Sequence, residues 1–275
     1  MIGPAIIVFR EVLEAALLIG IIAAATRGLP GRNLWLALGV GIGLVGSLVV
    51  ASLTESIAEL AEGTGQELFN AAILGVAVLM LGWHNIWMAT HGREMAAQAK
   101  SMGQSVKSGE REMSALAILI ALAVLREGSE TALFLYGMTA GNGSDHVSMI
   151  SGALFGLAGG IGTGWALYAG LARIPLRQFF TITSCLILFL AAGMAGQMAR
   201  FLIQGDVIHP LASPLWDSSP LLPMDSVPGN LLHLIAGYEA RPSGMQVLFY
   251  GLTFLVILLG MRWSRIHTPH TPQTI

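Results

Sequence analysis

Two copies of a charged five-residue motif, each inside an apolar segment, constrain this chain more than any other sequence feature. The copies occupy Arg10–Glu14 and Arg126–Glu130, share the pattern Arg-Glu-x-x-Glu and lie 116 residues apart. A charged side chain at the centre of a membrane span costs about 2.5 to 3.5 kcal/mol on insertion scales, so charges in that position are functional candidates. Because the same three charges recur in the same order, we expect both copies to serve one function.

The composition predicts an all-α integral membrane protein. Only 11% of the residues are charged and 54% are hydrophobic, whereas about 25% of the residues of soluble domains are charged. Seven apolar segments are long enough, at about 20 residues, to cross a hydrocarbon layer of about 30 Å as transmembrane helices. They are residues 2–25, 34–54, 67–88, 114–139, 147–172, 179–203 and 245–263. Membrane lipid is therefore an expected partner.

The distribution of charge predicts the orientation and excludes some partners. Most Lys and Arg residues lie in the first, third and fifth connections and around the start of the C-terminal tail, whereas the second and fourth connections have none. By the positive-inside rule the N-terminus is outside and the C-terminus inside a multi-pass protein of the cytoplasmic (inner) membrane. The chain has no basic arm, so nucleic acid is not expected as a partner. A lone cysteine, Cys185, excludes an intramolecular disulfide and a cysteine zinc site.

The duplication extends beyond the motifs, since each motif begins a repeat of three spans. Spans two and five both carry glycines at a spacing that lets membrane helices approach closely. Because each repeat has an odd number of spans, the two repeats start on opposite sides of the membrane. They are therefore predicted to be inverted, as in transporters with a midplane site. Residues 1–275 thus form one permease-like domain. It divides into repeat one (2–88), a cytoplasmic connection (89–113), repeat two (114–203), an outer loop (204–244), a seventh helix (245–263) and a cytoplasmic tail (264–275).

Both motifs are predicted to meet near the middle of the bilayer. At about 1.5 Å per helical residue, each lies well inside its span. The two glutamates of a motif are three residues apart and share a helix face, while Arg10 and Arg126 are four residues before the second glutamate and can pair with it. Carboxylate oxygens suit hard cations, including ferric iron and, less exclusively, ferrous iron, manganese, magnesium and calcium. The predicted metal ligands are Glu11, Glu14, Glu127 and Glu130.

These residues resemble the oxidase-dependent iron permeases, a family that includes the fungal high-affinity iron permease and the bacterial iron permease of the elemental-iron uptake system. The family hallmark is Arg-Glu-x-x-Glu, usually Arg-Glu-Gly-x-Glu, in the first and fourth of seven spans. The second copy matches it fully, and the first has Val12 where glycine is usual. The resemblance covers residues 2 to about 263.

The resemblance implies a permease that moves iron, as Fe2+ or Fe3+, inward as a transported substrate, with no permanently bound cofactor and no enzymatic activity. It further implies that the four glutamates bind iron during passage, with Arg10 and Arg126 as supporting charges. An extracytoplasmic oxidase or iron-donor protein is an expected partner on the same ground. Because the family includes relatives that carry other metals, such as lead, a different metal cation is an alternative substrate.

Two further groups are candidate sites along the path. Glu55, Glu59 and Glu62 recur on one helix face after span two and are candidates for an outer entrance. The pair Glu59 and Glu62 also resembles an extracytoplasmic Glu-x-x-Glu motif of the family, and a solvated helix end accounts for the group equally well. His84, Met88 and His91 share a face at the end of span three and are candidates for an inner exit. A role as an amphipathic interface anchor accounts for these three residues more simply.

The paired motifs are compatible with three further roles at the level of sequence. Buried Arg–Glu bridges that fix helix packing account for Glu14 and Glu130 but leave Glu11 and Glu127 unpaired. In a proton-coupled carrier for another substrate the same glutamates titrate instead of coordinating. An intramembrane enzyme is disfavoured because no His-Glu-x-x-His, Ser-His or paired-aspartate constellation accompanies the glutamates.

Overall fold

The computed structural model describes residues 2–60, 65–142, 146–170 and 176–267. The described residues form eight α-helices and no β-strand. The helices are α1 (Ile2–Ala25), α2 (Arg32–Leu60), α3 (Gln66–Lys107), α4 (Ser114–Asn142), α5 (His146–Tyr168), α6 (Leu176–Gln204), α7 (Val227–Ala236) and α8 (Gly244–His267).

Five of these helices are long and apolar enough to cross a membrane: α2, α3, α5, α6 and α8. The helices α1 and α4 are also long enough, with 24 and 29 residues, but each holds the three charges of one motif within its apolar sequence. Large apolar side chains such as Leu48, Phe155 and Leu259 are exposed on the outer faces of α2, α5 and α8, as expected for surfaces that contact lipid. The structure is that of a helical membrane protein, and the crossing by α1 and α4 stays a prediction.

The helix α3 extends far beyond the predicted span 67–88, through most of the predicted polar connection 89–113. It ends at Lys107, where Gly109 adopts a positive φ of 81°. The extension is held by packing: Ala99 and Val106 join a core with Ile22 of α1 and Leu116 of α4. The spacing of small and apolar residues from 99 to 106, at i, i+3, i+4 and i+7, is a helical signal that the many charges of this segment obscured.

The predicted outer loop 204–244 contains the short helix α7. The Ser226 hydroxyl accepts a hydrogen bond from the Gly229 N–H at 3.1 Å and caps the first turn. Gly237, with a φ of 66°, ends the helix. A Cβ on Gly193 of α6 would lie 2.8 Å from the Gly237 Cα, so this end of α7 docks closely on α6. Ser-x-Pro before an apolar run was the signal for this helix.

The outer loop is also held by polar contacts at its base. The Ser218 N–H donates to the Ala240 carbonyl at 2.9 Å, and Arg241 pairs with Asp217 at 2.9 Å. The hydrogen bond from Arg241 lowers the pKa of Asp217 to about 2. The pair therefore stays ionised at neutral pH, and with the Ser218–Ala240 hydrogen bond it joins the two arms of the loop.

Helix packing is reciprocal between the two repeats. The helix α4 packs closely against the glycines of α2, since Cβ atoms on Gly39 and Gly43 would lie 2.7 and 2.8 Å from α4 carbonyl oxygens. The glycines of α5 receive α1 in the same way, and a Cβ on Gly156 would lie 2.5 Å from the Ala5 carbonyl oxygen. Each motif helix is therefore packed against the second helix of the other repeat, as the glycine spacing predicts.

The one difference between the motifs, Val12 against Gly128, is matched by an opposite difference in the facing helix. A Cβ on Gly128 would collide with the Ser47 hydroxyl of α2. Val12 instead faces Gly160 of α5, whose added Cβ would lie 2.8 Å from the Val12 Cβ. The larger residue is thus on the motif helix in one half and on the facing helix in the other. The close approach is preserved in both halves, although the glycine changes sides.

We expect Gly128→Val to destabilise the protein by about 1 to 3 kcal/mol, because it overpacks the contact with Ser47. Adding Ser47→Gly recreates the Val12–Gly160 arrangement and should restore most of the lost stability, although it removes the hydrogen bond of Ser47 to the Gly43 carbonyl. Thermal unfolding of the detergent-purified protein measures both effects. Gly41→Val is the matched control, because a Cβ on Gly41 would meet nothing within 4 Å. Additive losses in the double variant would contradict the reciprocal packing.

Candidate functional site

Each motif folds into the same local ion pair. The Arg10 Nε donates to Glu14 Oε1 at 2.9 Å, and the Arg126 Nε donates to Glu130 Oε1 at 3.0 Å. Both bonds span i to i+4, which places the two side chains next to each other on a helix surface. The predicted pairing of each arginine with the second glutamate is therefore present, and the second glutamate of each motif has a cationic partner.

The first glutamate of each motif faces a shared buried site. Glu11 and Glu127 are only 1% and 4% exposed. Among the described residues, no donor forms a hydrogen bond with either carboxylate oxygen of Glu11 or with Oε2 of Glu127. One ligand atom from each of Glu11, Glu127, Glu130 and His84 can be chosen so that all lie within 4.8 Å of one another. The helices α1 and α4 thus bring the two motifs together, as their repetition predicts.

The structure places His84 of α3 between the two motifs. Its Nδ1 lies 2.5 Å from Glu130 Oε2, and its Nε2 lies 3.5 Å from Glu14 Oε2 and 3.9 Å from Glu11 Oε2. The next residue, Asn85, is buried and donates its side-chain N–H to the Ser184 carbonyl of α6 at 2.9 Å. This bond fixes the rotation of α3 and so the direction of the imidazole.

His84 therefore does not lie with Met88 and His91 in a separate group, as the sequence interpretation placed it. Met88 and His91 follow it by one and two turns of α3, and His91 stacks on Trp87 with ring centroids 4.9 Å apart. Spacing along one helix allowed this grouping, but only the packing of α3 against α1 and α4 shows that His84 meets the glutamates.

The outer acidic group is only partly within the described structure. Glu55 and Glu59 lie on the last turns of α2, where the positions of their side chains are not described, and Glu62 lies outside the described residues. Their role as an outer entrance stays a prediction.

The two halves of the site differ in their access to open space. The Arg10 side chain is 1% exposed, whereas that of Arg126 is 35% exposed. A cavity of about 320 Å³ lies beside the Arg126 half of the site and is lined by Met80, Trp83, His84, Trp87, Arg126 and Glu130. The Arg126 guanidinium lies over the Trp87 ring, 4.5 Å from its centroid. The site is thus closed at the α1 motif and open at the α4 motif.

This arrangement suits a cation. Four glutamates and two arginines leave the cluster with two uncompensated negative charges when all six groups are ionised. Burying a carboxylate without a donor or a counter-charge is costly, and a bound cation removes that cost. Oxygen donors with one imidazole form a ligand set for a divalent transition metal.

Comparison with known proteins agrees with this chemistry. A family model described as the iron permease FTR1 family matches residues 1–268. The ferrous iron permease EfeU of Escherichia coli O6:H1 is 33% identical over 256 residues, which cover 90% of each chain. The ferrous iron permease EfeU of Yersinia pestis is 30% identical over 264 residues, which cover 94% of this chain and 92% of that protein. No solved structure matches the chain significantly.

The unequal burial of the two arginines predicts unequal costs of removing them. Arg10→Met leaves the Glu14 carboxylate buried beside no guanidinium, a change that typically costs about 3 to 5 kcal/mol. Arg126→Met should cost less, because the side chains of Arg126 and Glu130 are 35% and 13% exposed, against 1% and 5% for Arg10 and Glu14. Thermal unfolding of the purified protein in a metal chelator measures both losses. Adding Glu14→Gln to Arg10→Met removes the unpaired charge and should recover part of the loss. Equal losses for the two single variants would contradict the difference in access.

Proposed function

The chain belongs to the iron permease FTR1 family, and we propose that it carries iron inward across the cytoplasmic membrane through its two Arg-Glu-x-x-Glu motifs. Membership makes the protein a transporter and not an enzyme, and iron its substrate class. The single observation that carries the proposed route is the burial of Glu11 and Glu127 in one site without donors for their facing oxygens. Those oxygens are the first ligands we assign to the passing ion.

The second glutamate of each motif has a different role in this mechanism. Glu14 and Glu130 hold their arginines at 2.9 and 3.0 Å, so they are compensated when the site is empty. An ion that displaces a guanidinium recruits the second carboxylate, and the return of the arginine then favours release. Each motif thus offers one carboxylate that accepts no hydrogen bond from the arginine and one that the arginine holds, although Glu127 Oε1 also lies 3.9 Å from the Arg126 Nε.

The proposed topology has seven membrane-crossing helices, α1 to α6 and α8, with the N-terminus outside and the C-terminus inside. The reciprocal contacts of α2 with α4 and of α5 with α1 support two inverted three-helix repeats. In this orientation the membrane potential favours entry by about 2.3 kcal/mol per charge per 100 mV.

The proposed path starts at the acidic end of α2, with Glu55, Glu59 and Glu62 as the outer entrance. It continues through the buried glutamates into the cavity beside Trp83 and Trp87, which follow Met80 toward the inner end of α3. Met88 and His91 lie beyond these residues on the same helix and are the proposed inner exit.

We propose Fe2+ as the transported ion, because the relatives are named ferrous iron permeases. Manganese and lead are alternative substrates. An extracytoplasmic oxidase or iron-donor protein as a partner stays a prediction from the family resemblance.

Iron uptake by cells that express single variants tests the route. Glu11→Gln and Glu127→Gln keep the side-chain shape but remove the charge, and each should lower the initial rate of uptake of radioactive iron at least tenfold. Iron supplied as Fe2+ with ascorbate and as ferric citrate, in parallel, separates the two valences. Glu110→Gln is the matched control, because Glu110 is exposed after the end of α3.

Immunoblots of the membrane fraction correct each rate for the amount of protein. Uptake at the control rate in the Glu11→Gln, Glu127→Gln double variant would contradict coordination by these glutamates. Loss of proton flux with unchanged iron binding to the purified protein would instead favour a proton-coupled carrier.

A further inference from the structure

His84 is the one charged or chargeable side chain of the described site that belongs to neither motif. It is 3% exposed and is carried by α3, whereas the glutamates come from α1 and α4. Because it touches Glu14 of one motif and Glu130 of the other, it joins the two halves. This position raises the question of what an imidazole adds to four carboxylates.

The contacts of His84 fix which nitrogen is available to a ligand. Glu130 Oε1 accepts from Arg126, and its Oε2 lies 2.5 Å from His84 Nδ1. This contact favours the tautomer that carries its proton on Nδ1, and in that tautomer the lone pair is on Nε2, the usual arrangement of a metal-binding histidine beside a supporting carboxylate. The Nε2 atom points toward the opposite motif, 3.9 Å from Glu11 Oε2.

The spacing of these atoms suits a first-row transition metal. Bonds of about 2.0 to 2.2 Å put two ligand atoms on one ion roughly 3 to 4.4 Å apart, depending on the angle between them. The 3.9 Å from Nε2 to Glu11 lies within this range, and the wider cluster spans no more than 4.8 Å. One ion can therefore contact both His84 Nε2 and Glu11 Oε2, with Glu127 in the same cluster.

We propose that His84 Nε2 is a direct metal ligand that makes the site selective for ferrous iron and similar divalent transition metals over Mg2+ and Ca2+. This inference rests on the proposed function and deepens it. Carboxylates alone suit magnesium, calcium and manganese, whereas imidazole suits iron, cobalt, nickel and zinc. A permease with only oxygen ligands would face competition from the far more abundant alkaline-earth cations, and one nitrogen ligand removes that competition.

A spectroscopic measurement on the wild-type protein tests the ligand directly. Mn2+ bound to the purified protein in detergent should show coupling to an imidazole 14N nucleus in pulsed electron paramagnetic resonance. This coupling should disappear in His84→Gln, which replaces the ring nitrogen by an amide, and persist in His209→Gln, whose histidine is exposed in the outer loop. Bound Mn2+ without 14N coupling in the wild-type protein would overturn the proposal, whatever the stability of the variant.

Competition measures the selectivity. We expect Co2+ and Zn2+ to inhibit uptake of radioactive Fe2+ by proteoliposomes at concentrations at least tenfold lower than Mg2+ and Ca2+. In His84→Gln this ratio should fall at least tenfold, whereas His209→Gln should keep the wild-type ratio. A purely structural role for His84 would lower the uptake rate and leave the order of the competing metals unchanged, which would overturn the proposal.

The two proposals fail in different ways. If Glu11→Gln and Glu127→Gln abolish uptake while His84→Gln keeps the nitrogen coupling and the order of metals, the route through the glutamates stands and the role of His84 is wrong. If the glutamate variants transport iron normally, the route itself is wrong.

Discussion

The burial of Glu11 and Glu127 without hydrogen-bond donors for their facing oxygens, among the described residues, is the constraint on which the rest of the structure depends. An ionised carboxylate in an apolar bundle needs a counter-charge, a donor or a bound cation, and without one of these it takes up a proton. The arginines meet this need for the second glutamate of each motif. The first glutamates share one buried site, and a cation bound there would remove the cost of burying them. In the proposed mechanism the same groups therefore lower the stability of the empty site and bind the transported ion.

Close helix packing keeps the two motifs at one site. The glycines of α2 and α5 let α4 and α1 approach within backbone contact, and dispersion at such contacts is a main source of helix association in lipid. In one half the glycine of the close contact is Gly128 on the motif helix, and in the other it is Gly160 on the facing helix. Both halves therefore keep a close helix contact with different residues. The halves remain different in access, because Trp83, Trp87 and the cavity lie only beside the α4 motif.

Particular residues show how far sequence reasoning reached. The Arg10–Glu14 and Arg126–Glu130 pairs follow from spacing along one helix, and the family assignment followed from the motif and is confirmed. The extension of α3 to Lys107 and the helix α7 were not predicted, because charges in one segment and prolines in the other outweighed weaker helical signals. The contact of His84 with the glutamates was not predicted, since a periodic pattern on one helix contains no information about what packs against it.

The sequence by itself determined that two charged motifs lie within apolar helices and that each arginine reaches its second glutamate, and it predicted carboxylate oxygens as ligands. These properties depend on residue type and on separations of three or four positions, which the α-helix converts into distances. Only the tertiary structure decided that α3 inserts His84 between the motifs and that one half of the site is open. Those features depend on the rotation and packing of helices far apart in the chain, and in a membrane that packing is set by many weak contacts that no local pattern specifies.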